Sequence, residues 1–416
     1  MAARAASRLA SFPLIALFVL APLIAILAPR AHGSVPLILT VVALAGQIWR
    51  DRATPPIAWI GLVAAAGFVA LIALSAIWTV EPSYTLERSG KLAYLGAAGF
   101  VLVALVRAAP DFVRRRLEQA LMIGFVIGLA LLIVELASAN AVYRLVSLTP
   151  PDEAVPDFTT NRAAVALALF AAPALVGIQR RHGGPAALLL LAATVAAVTL
   201  SASQSAPLAL AAAVLAWGAG RLAGRPTVLA IAGVAILALA LAPWIMLAVP
   251  SVDLSGLPAW EAGSAALRLE IWGTVADLVV QRPWFGHGVE ALRFMTLDEP
   301  IGDASTMTTI HHPHNVPLQI WIELGALGVA AAMTLVCMIA RVLLGLDRDS
   351  IPVASAVVAG ILATSLVSHG AWQSWWIGLI GVLAATIALT AERRTAARPV
   401  SAAVPAPSPA TRRATA

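Results

Sequence analysis

The feature that most constrains this chain is a succession of apolar runs of membrane-spanning length, separated by short clusters of arginine. A spanning helix needs roughly 20 apolar residues, because the hydrocarbon layer is about 30 Å thick. Twelve candidate runs approach or reach that length, at approximately 10–28, 34–49, 56–78, 91–106, 117–137, 162–178, 185–200, 206–220, 227–249, 317–340, 352–368 and 374–391. The first also resembles a secretory signal, since Arg4 and Arg8 precede it, but it is long for a signal core and eleven more runs follow. It is therefore read as a helix. Of 416 residues, 60% are hydrophobic and 12% charged, against about a quarter charged in soluble domains. A disordered chain is excluded by the same hydrophobicity. The expectation is an all-α polytopic integral membrane protein with about twelve transmembrane helices.

The net charge of +6 does not indicate nucleic-acid binding, because the cations lie between apolar runs and not along one basic surface. With the N-terminus inside, the inner loops hold 19 of the 27 cations and 6 of the 21 carboxylates. The inner face then carries +13 and the outer face −7, the asymmetry expected when positive loops stay cytoplasmic. Both termini are expected in the cytoplasm. Trp49, Trp59, Trp78, Trp375 and Trp376 fall at run ends, where an interfacial aromatic belt would place them. Cys337 lies alone inside an apolar run, so no intrachain disulfide can form and a packing role is expected. Residues 392–416 read as a short disordered cytoplasmic tail.

The organisation expected is nine helices in 1–249, a large outer loop over 250–316, three helices in 317–391, then the tail. No inner loop exceeds about a dozen residues, so chemistry must face outward or lie within the bundle. Loop 250–316 is far longer than an ordinary connection, and such loops are usually functional. Within it, Leu267, Ile271, Val275, Leu278 and Val279 recur at helical spacing, with Arg268, Asp277 and Gln281 opposite. This predicts an amphipathic helix over 264–281, lying on the membrane or roofing the bundle. Arg282-Pro-Trp-Phe-Gly-His-Gly288 then predicts a tight turn.

The loop ends in His311-His312-Pro313-His314-Asn315. Asn315 suits an N-cap and Pro317 the first turn of the next helix. His314 would sit at the positive end of that helix dipole, which favours a neutral imidazole able to accept a proton. Gly325 and Gly328 would let another helix approach, and Glu323, two turns into the span, could reach its outer boundary. Asn161-Arg162 opens the sixth run, where an arginine is costly unless it pairs, contacts a ligand or snorkels. Arg88 and Lys91 occupy a similar position before the fourth run. Ser201, Ser203, Gln204 and Ser205 read as an ordinary polar turn.

His314-Asn315, nine residues, then Gly325-x-x-Gly328 resembles the His-Asn-x9-Gly-x-x-Gly signature of the O-antigen ligase and polymerase superfamily. Leu318-Gln319, Glu323, Arg268-x-x-x-Trp272, Pro283-Trp-Phe-Gly-x-Gly288 and Asn161-Arg162 agree with it. The resemblance implies a GT-C-like membrane fold in the bacterial inner membrane with one large periplasmic loop. It also implies glycan transfer from an undecaprenyl-diphosphate-linked donor to lipid A-core or a growing glycan. In that reading Arg162 and Arg268 bind the diphosphate and His314 deprotonates the acceptor hydroxyl. His312, Asn315, Glu323, Asn161 and Arg88 complete the substrate site, with Arg282 and Arg293 the remaining loop cations. Inversion without a metal or other cofactor is expected, and no nucleic-acid partner. A divalent site from His312, His314 and Asp303 is the weaker alternative, for want of further ligands. A polymerase of the same superfamily is one rival. A secondary transporter is the other, disfavoured because the runs carry almost no charge near their midpoints.

Overall fold

A computed structural model describes residues 2–138, 140–150, 152–155, 157–248, 259–297, 300–301 and 307–391. Five helices come first: α1 (Ala2–Leu27), α2 (Val35–Asp51), α3 (Trp59–Leu74), α4 (Pro82–Ala108) and α5 (Asp111–Ala137). The short α6 (Ala141–Ser147) precedes α7 (Asn161–His182), α8 (Gly184–Leu200), α9 (Ser205–Ala223) and α10 (Arg225–Ala248). Then come α11 (Ala259–Gln281), α12 (Val316–Leu344), α13 (Ile351–Val367) and α14 (Ser374–Thr390). Every helix but α6 and α11 coincides with one of the twelve apolar runs. By length and composition, eight are able to cross a membrane, while α8, α13, α14 and the apolar part of α1 are shorter. The protein is an all-α polytopic membrane protein. The expected tail 392–416 and part of loop 250–316, Asp303 included, lie outside the described residues.

Small residues let the helices pack closely, as association in lipid requires. Residues 163–171, an alanine-rich stretch of α7, are buried on every side, and α7 packs against α1, α5, α8, α9, α13 and α14. A Cβ on Gly124 would collide with the carbonyl of Val19, so α1 and α5 touch backbone to backbone. Leu17, Phe18 and Ala21 of α1 are fully enclosed, which makes this first run part of the core. The outer surface instead presents Ile60, Val63, Leu188, Leu189 and Leu215, the composition of a lipid-facing wall. Cys337 lies on that exposed side of α12, not in the packing expected of it.

Besides a small cluster where α10, α12 and α13 meet, two large apolar cores fill the bundle. One joins α1, α2, α4, α5, α7, α8, α9, α13 and α14; the other joins α3, α10, α11 and α12 with Leu92 of α4 and with Val289, Leu292, Leu297, Ile301 and Ile310. The connection from α13 to α14 passes between them, giving Ala371 and Trp372 to one core and Trp375 and Trp376 to the other. Those last two tryptophans are buried, contrary to the interfacial place expected of them. Their run end folds inward because Trp375 supports polar side chains described below.

The largest departure from the sequence reading is in α12. Gly325 adopts φ +60° and ψ −157°, which breaks the helix into two arms. What approaches there is a turn, not a helix. The Pro283–Gly288 turn enters the break, and a Cβ on Gly325 would come within 2.5 Å of the Trp284 backbone. The turn satisfies the freed backbone groups. Ala326 and Leu327 donate to the carbonyls of Pro283 and Trp284 at 2.8 and 3.3 Å, and His287 and Gly288 donate to those of Ile322 and Glu323, both at 2.8 Å. Irregular backbone at this depth is tolerated only with such partners. Gly328 serves the same break, since a Cβ there would overlap the displaced Leu324 side chain.

Candidate functional site

The site forms where the start of α12, the α13–α14 connection, the starts of α7 and α9, and α11 converge. Asn315 caps α12 as expected, its Oδ1 accepting from the Leu318 N–H at 3.0 Å, and Pro317 follows in the first turn. That cap makes the chain reverse direction immediately before it, and His314 takes φ +54°. The reversal sets the His312 and His314 rings edge to face, 4.2 Å apart. Trp272 of α11 secures the turn by donating to the Pro313 carbonyl at 2.7 Å.

His314 hydrogen-bonds through its ring to the Ser368 carbonyl. Burial, reinforced by the charge of Arg268, pushes its pKa down to about 4. The ring is therefore neutral at pH 7, with an N–H on the nitrogen facing Ser368 and a free lone pair on the other. His312 is held by a relay. Trp375 Nε1 donates to Gln373 Oε1 at 2.6 Å, which orients the amide so that its Nε2 donates to His312 Nε2 at 3.0 Å. The His312 proton then resides on Nδ1, which is buried with no partner among the described residues. Burial first, then the charges of His314, Arg293, His311 and Arg162, push the His312 pKa down to about 3.

Two arginines enter from other helices. Arg162, at the start of α7, lies with its guanidinium over the Trp375 ring, 5.4 Å from the centroid. Arg268 lies half-buried on α11, not on an exposed polar face, and donates to Gln204 Oε1 at 2.7 Å. Burial lowers its pKa, a sign that the charge is held away from water. Ser264 donates to the same Gln204 oxygen at 3.2 Å, so the polar turn before α9 is part of the site. Among the described residues, the ion pairs engage Arg50, Arg88, Lys91 and Arg293, and neither Arg162 nor Arg268. Asn161, next to Arg162, has a buried Oδ1 with no partner among the described residues.

The other expected site residues build the frame. Arg88 lies 2.8 Å from Glu290, donates to the Trp372 carbonyl at 3.3 Å and stacks on Tyr84. Arg293 pairs with the same Glu290 at 3.1 Å. Glu323 does not reach an outer boundary: it is buried, and accepts from Gln319 at 3.0 Å and Trp372 Nε1 at 2.5 Å. Gln319 in turn accepts from the Ala371 N–H at 2.8 Å. Glu323, Gln319 and Arg88 thus anchor the α13–α14 connection that contacts both histidines. Among the described residues no three His, Cys, Asp or Glu side chains are grouped to hold a metal ion.

Three participants escaped the sequence reading. Gln204 sat in a turn of ordinary composition, and Gln373 carried no spacing signal. His369 stood alone between two apolar runs, although the aromatic cluster of Trp372, Trp375 and Trp376 just after it marked the connection as unusual.

Residues 186–333 match the family model described as O-Antigen ligase. A Rickettsia prowazekii protein that carries the name "Putative polysaccharide ligase" is 31% identical over 119 residues, covering 27% of this chain and 29% of that protein. The namesake of Rickettsia typhi is 32% identical over 120 residues, with the same shares. The chain thus aligns with under a third of the length of these relatives. The matched family region contains α9, Arg268, the Pro283–Gly288 turn, His314 and the broken first half of α12. Residues 186–333 of the chain are thus similar to the O-antigen ligase family.

Proposed function

We propose that the protein transfers a glycan from an undecaprenyl-diphosphate-linked donor to an acceptor hydroxyl on the periplasmic side of the bacterial inner membrane. The acceptor best suited to this reading is lipid A-core, so that the reaction is O-antigen ligation. The observation that carries the reading is the gathering of two partly buried arginines around neighbouring imidazoles, Arg268 beside His314 and Arg162 beside His312, neither arginine having a carboxylate partner among the described residues. A buried guanidinium with no counter-charge is unfavourable, and a diphosphate supplies that charge with oxygens matched to its planar fork. The relatives named as polysaccharide ligases support the same class of reaction.

In the reaction the acceptor oxygen attacks the anomeric carbon, and the bond from that carbon to the phosphate oxygen breaks with inversion. The acceptor proton passes to the free nitrogen of His314, and the lipid diphosphate leaves with the bonding electrons. Arg162 and Arg268 stabilise the charge that develops on it. A base with a pKa near 4 is weak, but donor binding changes its surroundings. The diphosphate neutralises Arg268, the charge that helps to depress the His314 pKa, and adds negative charge beside the ring. His314 becomes a stronger base only when the donor is in place.

The pH dependence carries this coupling. His314 must be unprotonated to act, so activity is lost as pH falls through its pKa. The acid limb of kcat/KM, which reports the free enzyme, is expected below about pH 5, and the limb of kcat, which reports the donor complex, at higher pH. Coincident limbs near pH 6.5 would contradict the buried neutral imidazole.

Deletion of the chain in its native cell provides the functional test. Full-length glycan left on the lipid carrier, with bare lipid A-core, is the expected result. Single repeats on lipid A-core would instead identify a polymerase, and unchanged glycans would end the proposal.

A further inference from the structure

The histidine between the two apolar runs that end the chain, His369, has no role in the reaction just described. Its backbone neighbours join it to the site from both sides. Ser368 offers its carbonyl to the His314 ring, and Gly370 packs so closely on the His312 ring that a Cβ there would lie 3.0 Å from it. The His369 ring stands edge-on to Trp375 at 4.5 Å between centroids, and tilted to Trp376 at 5.7 Å. Trp375 is also the ring over which Arg162 lies. His369 and Arg162 are thus supported by one indole, while the buried Nε2 of His369 has no hydrogen-bond partner among the described residues.

A buried imidazole nitrogen left unpaired is costly, and functional sites are where such groups recur. Burial first, then the charge of Arg162, the neighbouring His314 and His312 rings and the charge of Arg268, hold the His369 pKa down to about 3. The ring is therefore neutral and carries one N–H. In a positive field with no carboxylate partner among the described residues, the matching ligand is one that offers only acceptor oxygens and brings negative charge.

We infer that His369 is a donor-binding residue that gives a neutral Nε2–H hydrogen bond to a diphosphate oxygen, completing the anion site begun by Arg162 and Arg268. A third arginine would add more like-charge repulsion in the empty site. A neutral donor adds none, yet gains strength when the anion arrives, since hydrogen bonds to charged groups are the stronger ones. This inference rests on the diphosphate reading above, and the experiment separates the two.

Undecaprenyl diphosphate is titrated onto the full-length protein in lipid nanodiscs, for the wild type and for His369→Phe, His369→Gln and His369→Asn, with thermal unfolding measured in parallel. Phe keeps the contact with Trp375 but removes both nitrogens. Gln offers a donor near the position of Nε2, whereas the shorter Asn does not reach it. The expected result is binding by the wild type, about tenfold or greater weakening in His369→Phe and His369→Asn, and recovery of most of the affinity in His369→Gln. Should the Phe protein fail to fold, the contrast between Gln and Asn decides alone. Equal affinity in all folded variants overturns the role of His369 and leaves the diphosphate reading intact. No binding by the wild type overturns both.

Discussion

Replacing His314 with alanine is expected to lower kcat for glycan transfer by about 10²- to 10⁴-fold, the usual contribution of a positioned general base. The donor affinity of this variant should change little, because the diphosphate is held by Arg162 and Arg268 and not by the base. Loss of kcat with donor binding retained is therefore the signature, read from initial rates together with a direct binding titration. His314→Gln should be no better than alanine, since an amide nitrogen cannot take up the proton. Full transfer activity in a His314→Ala protein that inserts normally would remove His314 from the reaction. The His314 side chain takes no part in the cap of α12, which Asn315 supplies, so the alanine protein is expected to fold.

Gly325→Ala is the substitution expected to damage the fold most. Its φ of +60° with ψ of −157° falls in a region that is open essentially to glycine alone, at a cost of about 1–3 kcal/mol for other residues. A methyl group there must also occupy space 2.5 Å from the Trp284 carbonyl carbon, where backbone and not a flexible side chain stands in the way. Overpacking of this kind adds about 1–3 kcal/mol. Against a typical stability of about 5–15 kcal/mol, the sum is large. The yield of monodisperse protein in detergent and its unfolding temperature should both fall sharply. Gly273→Ala, on α11 with open space around its Cβ, is the control and should be neutral or slightly stabilising. Equal unfolding temperatures for the two variants would mean that the break in α12 is not held by the Pro283–Gly288 turn.

The architecture was largely legible because each apolar run had to satisfy its own backbone in hydrocarbon, and a helix is how an isolated run does that. The break in α12 was hidden for the converse reason. A single glycine in an apolar run is compatible with a continuous helix, and Gly325 departs from one only because the turn at 283–288 arrives from about forty residues away to replace the lost hydrogen bonds. Similarly, the helical period of α11 divided its residues into apolar and polar faces, but not into those facing lipid, water and the site. The period placed Arg268 opposite the apolar residues, but its half-buried position beside Gln204 depends on how the turn before α9 meets α11.

The candidate site was legible where its residues are adjacent in sequence and obscure where they are adjacent only in space. His312, His314 and Asn315 form a local pattern whose cap and turn follow from short-range geometry. His369 and Gln373 join them through the α13–α14 connection, held in place by Gln319, Glu323 and Arg88. No spacing rule links position 369 to position 314. Trp375 illustrates the same limit, since a tryptophan near a run end suits a lipid interface equally well until Arg162 and His369 are seen against its ring.

The most direct test of the central claim is transfer by the purified protein itself. The full chain in nanodiscs is supplied with an undecaprenyl-diphosphate-linked glycan and lipid A-core, in excess chelator, and both the glycosylated acceptor and the released undecaprenyl diphosphate are measured. The expected result is one released diphosphate for each glycosidic bond formed, with turnover unimpaired by chelation and lost on replacement of Arg162 or Arg268. Uptake of substrate into sealed liposomes without any glycosylated product would contradict it and identify a carrier instead.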